Sequence, residues 1–274
     1  MDASSREHFQ QAIDLEIKSL EESIQVLKSR RNAYSAVSSL PPEVFAAIFS
    51  TLCLPGTSSL DGKPDTHLAQ VVSHVCHQWR EIVLNQPLLW SHVNFATLSP
   101  VGAAEILVRA KSTPLFFEAS LYGIRHNDVR FFTFRRELQA RLPYLRQLRT
   151  TAGRMDLDET FKEIVSPAPT LEYLSLSSHG IRKNRLKWGR SVIPDALFNG
   201  STPRLSCLEL SYCNISWKSP LLKGLKYLKI LTPSKYGRPK LADWLGALDE
   251  MSQLVTLTLH SASPIAPSHI MTTE

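Results

Sequence analysis

No run of apolar residues in this 274-residue chain approaches the ~18 that a bilayer-crossing helix needs, and the N-terminal Met-Asp-Ala-Ser-Ser-Arg-Glu lacks the charged-then-apolar pattern of a secretory signal. Both absences predict a protein of the cytoplasm, the nucleus or both, with no membrane among its partners. Cysteine is scarce. Cys53, Cys76, Cys207 and Cys213 lie far apart in apolar contexts, without the Cys-x-x-Cys spacing of zinc or redox sites, and are read as reduced core residues. His74 and His77, three apart beside Cys76, have no second ligand pair, so no metal is expected there. Also missing are Gly-x-Ser-x-Gly, a glycine-rich phosphate loop and His-Glu-x-x-His. The neighbouring acids Asp156, Asp158 and Glu159 fall at a predicted helix start, where carboxylates favour the helix dipole. The chain is therefore expected to be no enzyme on its own, with no catalytic residues and no cofactor.

What is present begins with charge. Lys and Arg number five against six acids in residues 1–38, two against four in 39–95, and 24 against 15 in 96–274, so the net charge of +6 is carried by the last part alone. Residues 1–38 hold a heptad seam: Ile13, Ile17, Leu20, Ile24, Leu27, Arg31 and Tyr34 alternate in steps of four and three, filled apart from Arg31. This predicts a helix of roughly 28 residues. Two readings stand side by side: a short coiled coil making a weak homodimer through residues 13–34, or a single helix folding back on its own chain.

Residues 39–95 carry the densest pattern. Pro41 and Pro42 sit where a first helical turn needs no backbone donor, and Val44, Phe45, Ile48, Phe49 and Leu52 follow at spacings of one, three and four. Between Val71 and Leu84, the residues Val71, Val72, Val75, Cys76, Trp79, Ile82 and Val83 repeat those spacings, and Pro87 marks the end. Two apolar helices are predicted, joined by a turn-rich loop over Leu54–Asp65. So short a module cannot hide both faces against itself, and part of its apolar surface must meet another surface.

Four pieces stand in order: Leu40-Pro41-Pro42-Glu43, Ile48-Phe49, Val75-Cys76-x-x-Trp79-Arg80 and Pro87-x-Leu89-Trp90. Together they resemble an F-box, the adaptor-binding module of substrate receptors in Skp–cullin–F-box ubiquitin ligases. The preceding helix with Arg30-Arg31-Asn32 resembles a large fungal branch of that family. The resemblance implies a small all-α module that docks on a Skp-type adaptor through Leu40, Pro41, Pro42, Val44, Ile48, Phe49, Leu52, Val72, Val75, Cys76, Trp79 and Trp90. Trp79 is the residue it singles out most, either touching the partner or holding the helices together.

After Trp90 the pattern changes to alternating helix and strand. A helix is predicted to end near Lys111, a strand to follow from Pro114 to Leu121, and a helix to run from Asp128 to Leu142. Leu145-x-x-Leu148 comes next. Leu-x-x-Leu-x-(Leu/Ile) phrases then begin at Leu171, Leu205, Leu225 and Leu254, the first leucines lying 26, 34, 20 and 29 residues apart. That spacing resembles a leucine-rich repeat, in which each unit gives one short parallel strand and a returning helix or loop. The fold expected is mixed α/β: a heptad helix over 1–38, an F-box over 39–95, and an irregular leucine-rich-repeat-like solenoid over 96–274 that binds a protein substrate. The closing residues from Ser261 offer no amphipathic cap, which predicts a truncated solenoid.

The function implied is substrate recruitment to a cullin-type ligase, with the substrate unknown. A rival reading takes 39–95 as a helix-turn-helix and the basic part as a nucleic-acid surface. Arg80 is the lone cation of the would-be recognition helix, which weighs against it. The run Arg182–Arg190, five cations around Trp188, could bind nucleic acid or acidic protein, or be a solvated connection between repeats. A third reading is an F-box protein that acts outside a ligase.

Overall fold

The computed structural model describes residues 3–53, 65–121, 128–179, 191–231, 240–260 and 263. The basic run Arg182–Arg190, most of the loop after Cys53 and nearly all of the closing segment lie outside the described residues. The chain divides into two compact units, Met1–Leu89 and Trp90–Glu274.

The first unit opens on α1 (Ala3–Ala33), as the heptad spacing predicts. A 3-10 turn, Ala36–Ser39, follows, with Ser35 accepting from the Ser38 N–H at its start. Next comes α2 (Pro42–Cys53), whose first turn needs no proline N–H. Phe45, Phe49 and Cys53, spaced by four, form its buried stripe. Asp65 then caps α3 (Thr66–Ser73), its carboxylate accepting from the Leu68 N–H at 3.0 Å, and the Asp65 N–H donates to the Cys53 carbonyl. A further helix, α4 (His77–Leu84), precedes the 3-10 turn Pro87–Trp90.

The single helix expected over Val71–Leu84 is thus corrected to two. The His74 N–H closes α3 on the carbonyls of Val71 and Val72, and Cys76 is extended (φ −156°, ψ 170°) before α4 begins. The turn redirects the chain so that Trp79, in the first turn of α4, packs its ring against those of Phe45 and Phe49.

The second unit is built on seven parallel strands: β1 (His92–Asn94), β2 (Leu115–Ser120), β3 (Leu145–Gly153), β4 (Tyr173–His179), β6 (Cys207–Ser211), β8 (Tyr227–Leu231) and β9 (Thr256–His260), side by side in chain order. A separate parallel pair joins β5 (Ser191–Val192) to β7 (Cys213–Asn214). Each leucine phrase of the sequence yields one strand. The connections include α5 (Pro100–Ala110), α6 (Val129–Arg141), α7 (Arg154–Glu163) and α8 (Leu241–Glu250). Local chemistry sets their ends: Ser99 and Asp128 cap α5 and α6 through the N–H groups of Gly102 and Arg130, and Lys111 leaves α5 at φ 54°.

Register carries the core from strand to strand. Val93, Phe117, Leu148, Leu174, Leu208 and Leu228 pair in one row, all buried. Phe95 adds edge-to-face contacts with Phe117 and Phe134, at 5.1 and 5.3 Å between ring centres. Parallel strands covered by connections on one side give the alternation of buried and half-buried residues seen from β3 to β8.

Candidate interaction surface

The first unit contains a core too small for its apolar residues. On α2 the sequence supplies two stripes. Phe45 and Phe49 turn inward, and Val44, Ile48 and Leu52, again spaced by four, stay 40%, 39% and 56% exposed. Leu40 extends that outer row at the helix entrance with Pro41 and Pro42, both exposed. The Pro41 carbonyl accepts the N–H groups of Val44 and Phe45, fixing the entrance.

Beneath the row lies a triangle of rings: Phe45–Phe49 at 5.7 Å, Phe45–Trp79 at 5.6 Å and Phe49–Trp79 at 5.1 Å, the last nearly edge-to-face. Because α2 is locked to α4 through these rings, Val44, Ile48 and Leu52 stand on a fixed backbone. A hydrogen bond from Ser50 Oγ to Gln86 Oε1 at 3.0 Å reinforces the lock, and buried Thr66 Oγ1, at the start of α3, donates to the Leu89 carbonyl at 3.3 Å.

The residues named from the sequence fall into three groups. Leu40, Pro41, Pro42, Val44, Ile48, Leu52 and Val75 are exposed; Cys76 and Trp79 are half-buried; Phe49, Val72 and Trp90 are buried. The buried ones can support a surface but present little to a partner. Trp90 opens the second unit, where the Arg109 guanidinium lies 4.6 Å above its ring. Val37, Val71 and Leu88 are exposed apolar residues that sequence reasoning did not assign to the surface. Their signal was hydrophobicity alone, which does not tell inward from outward in so short a module.

The cysteines are free, but only Cys53 and Cys213 are buried, so the expectation of four core cysteines holds for two. Cys76 caps α4 by position without a side-chain hydrogen bond. Burial raises the Cys53 thiol, with Asp65 adding to it.

A second surface lies on the outward side of the parallel strands. There the register aligns Glu118, Arg149, Ser175, Glu209 and Lys229 across five adjacent strands, so that charge alternates in sign along the row. Arg149 donates to the Tyr173 hydroxyl at 3.1 Å and its guanidinium lies 5.4 Å over the ring. Burial, opposed by Arg149 and assisted by Glu209, pushes the Tyr173 hydroxyl up to about 12. The neighbouring Cys207 thiol is pushed up to about 11, again chiefly by burial. Glu209 and Ser211 alternate outward from buried Leu208 and Leu210 as half-buried residues. Cys213 sits just after Tyr212 at φ 57° and donates its S–H to the Leu176 and Ser211 carbonyls.

Comparison with known proteins adds one finding. Residues 37–96 match the family model described as F-box-like, a span that takes in the outer row, the ring triangle and the Pro87–Trp90 turn. No curated protein and no solved structure matches the chain. The packed helices with their exposed apolar row and the family match fall on one stretch, and residues 37–96 form an F-box-like domain.

Proposed function

We propose that this chain is the substrate-recruiting subunit of a cullin-type ubiquitin ligase, holding a target protein near the ubiquitin-charged enzyme while itself catalysing nothing. F-box domains bind Skp1-type adaptors. The observation that carries the reading here is the exposed row of Leu40, Val44, Ile48 and Leu52 backed by the Phe45–Phe49–Trp79 triangle. An apolar ridge on a rigid base is what a partner groove can bury without reordering, which lowers the entropic cost of docking. The outward row of the parallel strands, polar and of mixed charge, is the surface that suits reading a target. Ligation needs only proximity from such a subunit, because a tethered lysine meets the activated carboxyl at high effective concentration.

The test is reconstitution with the full chain. A Skp-type adaptor should co-elute with it on a sizing column, and the doubly substituted Leu40→Ala/Pro41→Ala chain should bind roughly ten- to a hundredfold more weakly, the affinity equivalent of burying one leucine. Separate elution of adaptor and folded wild-type chain at micromolar concentration rejects the reading. Purification from cells after proteasome block should recover adaptor, cullin and target together; adaptor without cullin would place the chain outside a ligase.

A further inference from the structure

The helix α1 is 31 residues long, and the described side chains from Arg6 to Arg31 are all exposed. Its apolar seam is therefore unpartnered, with Ile17, Leu20, Ile24 and Leu27 between 48% and 62% exposed. A helix gains most of its stability in a protein from packing an apolar face. Among the described residues, nothing of its own unit covers that face.

Charge identifies what covers it. In the heptad defined by the seam, Ile17 and Ile24 take the a positions and Leu20 and Leu27 the d positions. Of the flanking positions, Asp14, Glu21 and Lys28 are e, while Glu16, Ser23 and Arg30 are g. Acidic flanks thus precede basic ones. If two copies ran parallel, each g residue would face the e residue five further on, setting Glu16 against Glu21 of the other copy on both sides and stacking Arg31 on Arg31 in the seam. Antiparallel copies instead pack a against d. In that arrangement Ile17 meets Leu27 and Leu20 meets Ile24, each twice. The same register brings Asp14 opposite Lys28 and Glu16 opposite Arg30, also twice each, and leaves Glu21 against Glu21 as the lone like-charge pair of these flanks.

We infer that α1 is an antiparallel homodimerisation helix, its occupant a second copy of the same helix in the register that joins Ile17 to Leu27. The inference is independent of adaptor binding. At about 1.5 Å per residue the helix is about 46 Å long, so antiparallel pairing carries the two F-box-like domains to opposite ends of the paired helices. The arrangement would make the protein a bivalent receptor.

Sedimentation velocity on the full chain, with helix content followed by circular dichroism, tests it. The wild type should sediment as a dimer that dissociates on dilution, and Leu20→Asp as a monomer. Orientation is read from charge reversal at exposed positions that do not endanger folding. In the antiparallel register E16R and R30E should each weaken the dimer about tenfold by turning two attractive pairs repulsive, and E16R/R30E should restore it. A parallel pair responds oppositely, since E16R would then gain attraction to Glu21 and tighten. A wild-type chain that stays monomeric up to about 100 µM, a dimer that survives Leu20→Asp, a dimer that E16R tightens, or a double variant that is not restored each overturns the proposal. Assembly beyond a dimer does so as well.

Discussion

Trp79 joins α4 to the helix that carries the exposed apolar row. Its ring closes the triangle with Phe45 and Phe49 while staying half-buried, so its first task is to fix α2 against α4. Trp79→Ala should cost about 3 kcal/mol, the low end for deleting a packed tryptophan because part of the ring is already in water. Chemical denaturation measures it, and a loss under ~1 kcal/mol would show that the rings do not hold the helices. Leu40 and Pro41 stand in contrast. Both are exposed at a helix entrance, so alanine at both positions should leave the melting temperature nearly unchanged while adaptor affinity falls.

The Cys213 and Cys207 thiols and the Tyr173 hydroxyl give a second set of expectations at this scale. Burial pushes Cys213 up to about 12 and Cys207 up to about 11, so at neutral pH both are protonated and poor nucleophiles. A thiol reagent added to the native protein should label them slowly, and complete modification within the mixing time would contradict their packing. For Tyr173 the folded value, about 12, lies above the ordinary ~10 of an unfolded chain. The neutral form is the one the fold favours. Its stabilising contribution is complete below pH ~10 and is lost as pH rises through about 12. Unfolding free energy should therefore decline across that alkaline window, less steeply in Tyr173→Phe; an unchanged slope in the variant would remove Tyr173 as the cause.

At the scale of elements, α2 was legible because three local signals agree on it: proline at its start, an apolar period of four, and turn-forming residues after it. The break between α3 and α4 was not legible. Val72, Val75, Cys76, Trp79 and Val83 keep helical spacing straight through it, and what stops the helix is the extended Cys76 and the packing of Trp79 on α2, a contact distant in sequence. Trp90 escaped for a related reason. A motif reports that an aromatic residue belongs there but not which body buries it, and Arg109 and the second unit enclose this one. The sequence placed Val44, Phe45, Ile48, Phe49 and Leu52 on one apolar face; the structure splits that face, turning Phe45 and Phe49 inward and leaving Val44, Ile48 and Leu52 exposed. Asp65 holds the start of α3 and its end of the loop against Cys53, and Asp65→Ala should cost about 1 kcal/mol in a denaturant titration; no measurable change would mean the cap is redundant.

For the whole molecule, the leucine phrases proved the strongest guide, since those beginning at Leu145, Leu171, Leu205 and Leu225 bury alternate residues and all neighbouring phrases fall in register as parallel strands. Less visible were the short β1 inside the span read as helical, the β5–β7 pair and α8, whose residues lack the phrase altogether. The surfaces behind the proposed function divide along the same line. The F-box-like domain offers an apolar ridge, and the sheet offers a polar row of alternating charge. The central claim is that the ridge docks an adaptor. Calorimetric titration of the Skp-type adaptor into the full-length Ile48→Asp chain tests it most directly, because Ile48 is exposed on the ridge and lies outside the ring triangle. An aspartate there should leave the thermal melt of the free chain within a degree or two, since surface substitutions cost ~0.5 kcal/mol or less, and weaken binding by at least about a hundredfold by burying an unpaired charge. Wild-type affinity in a chain whose melt is unchanged would contradict the account.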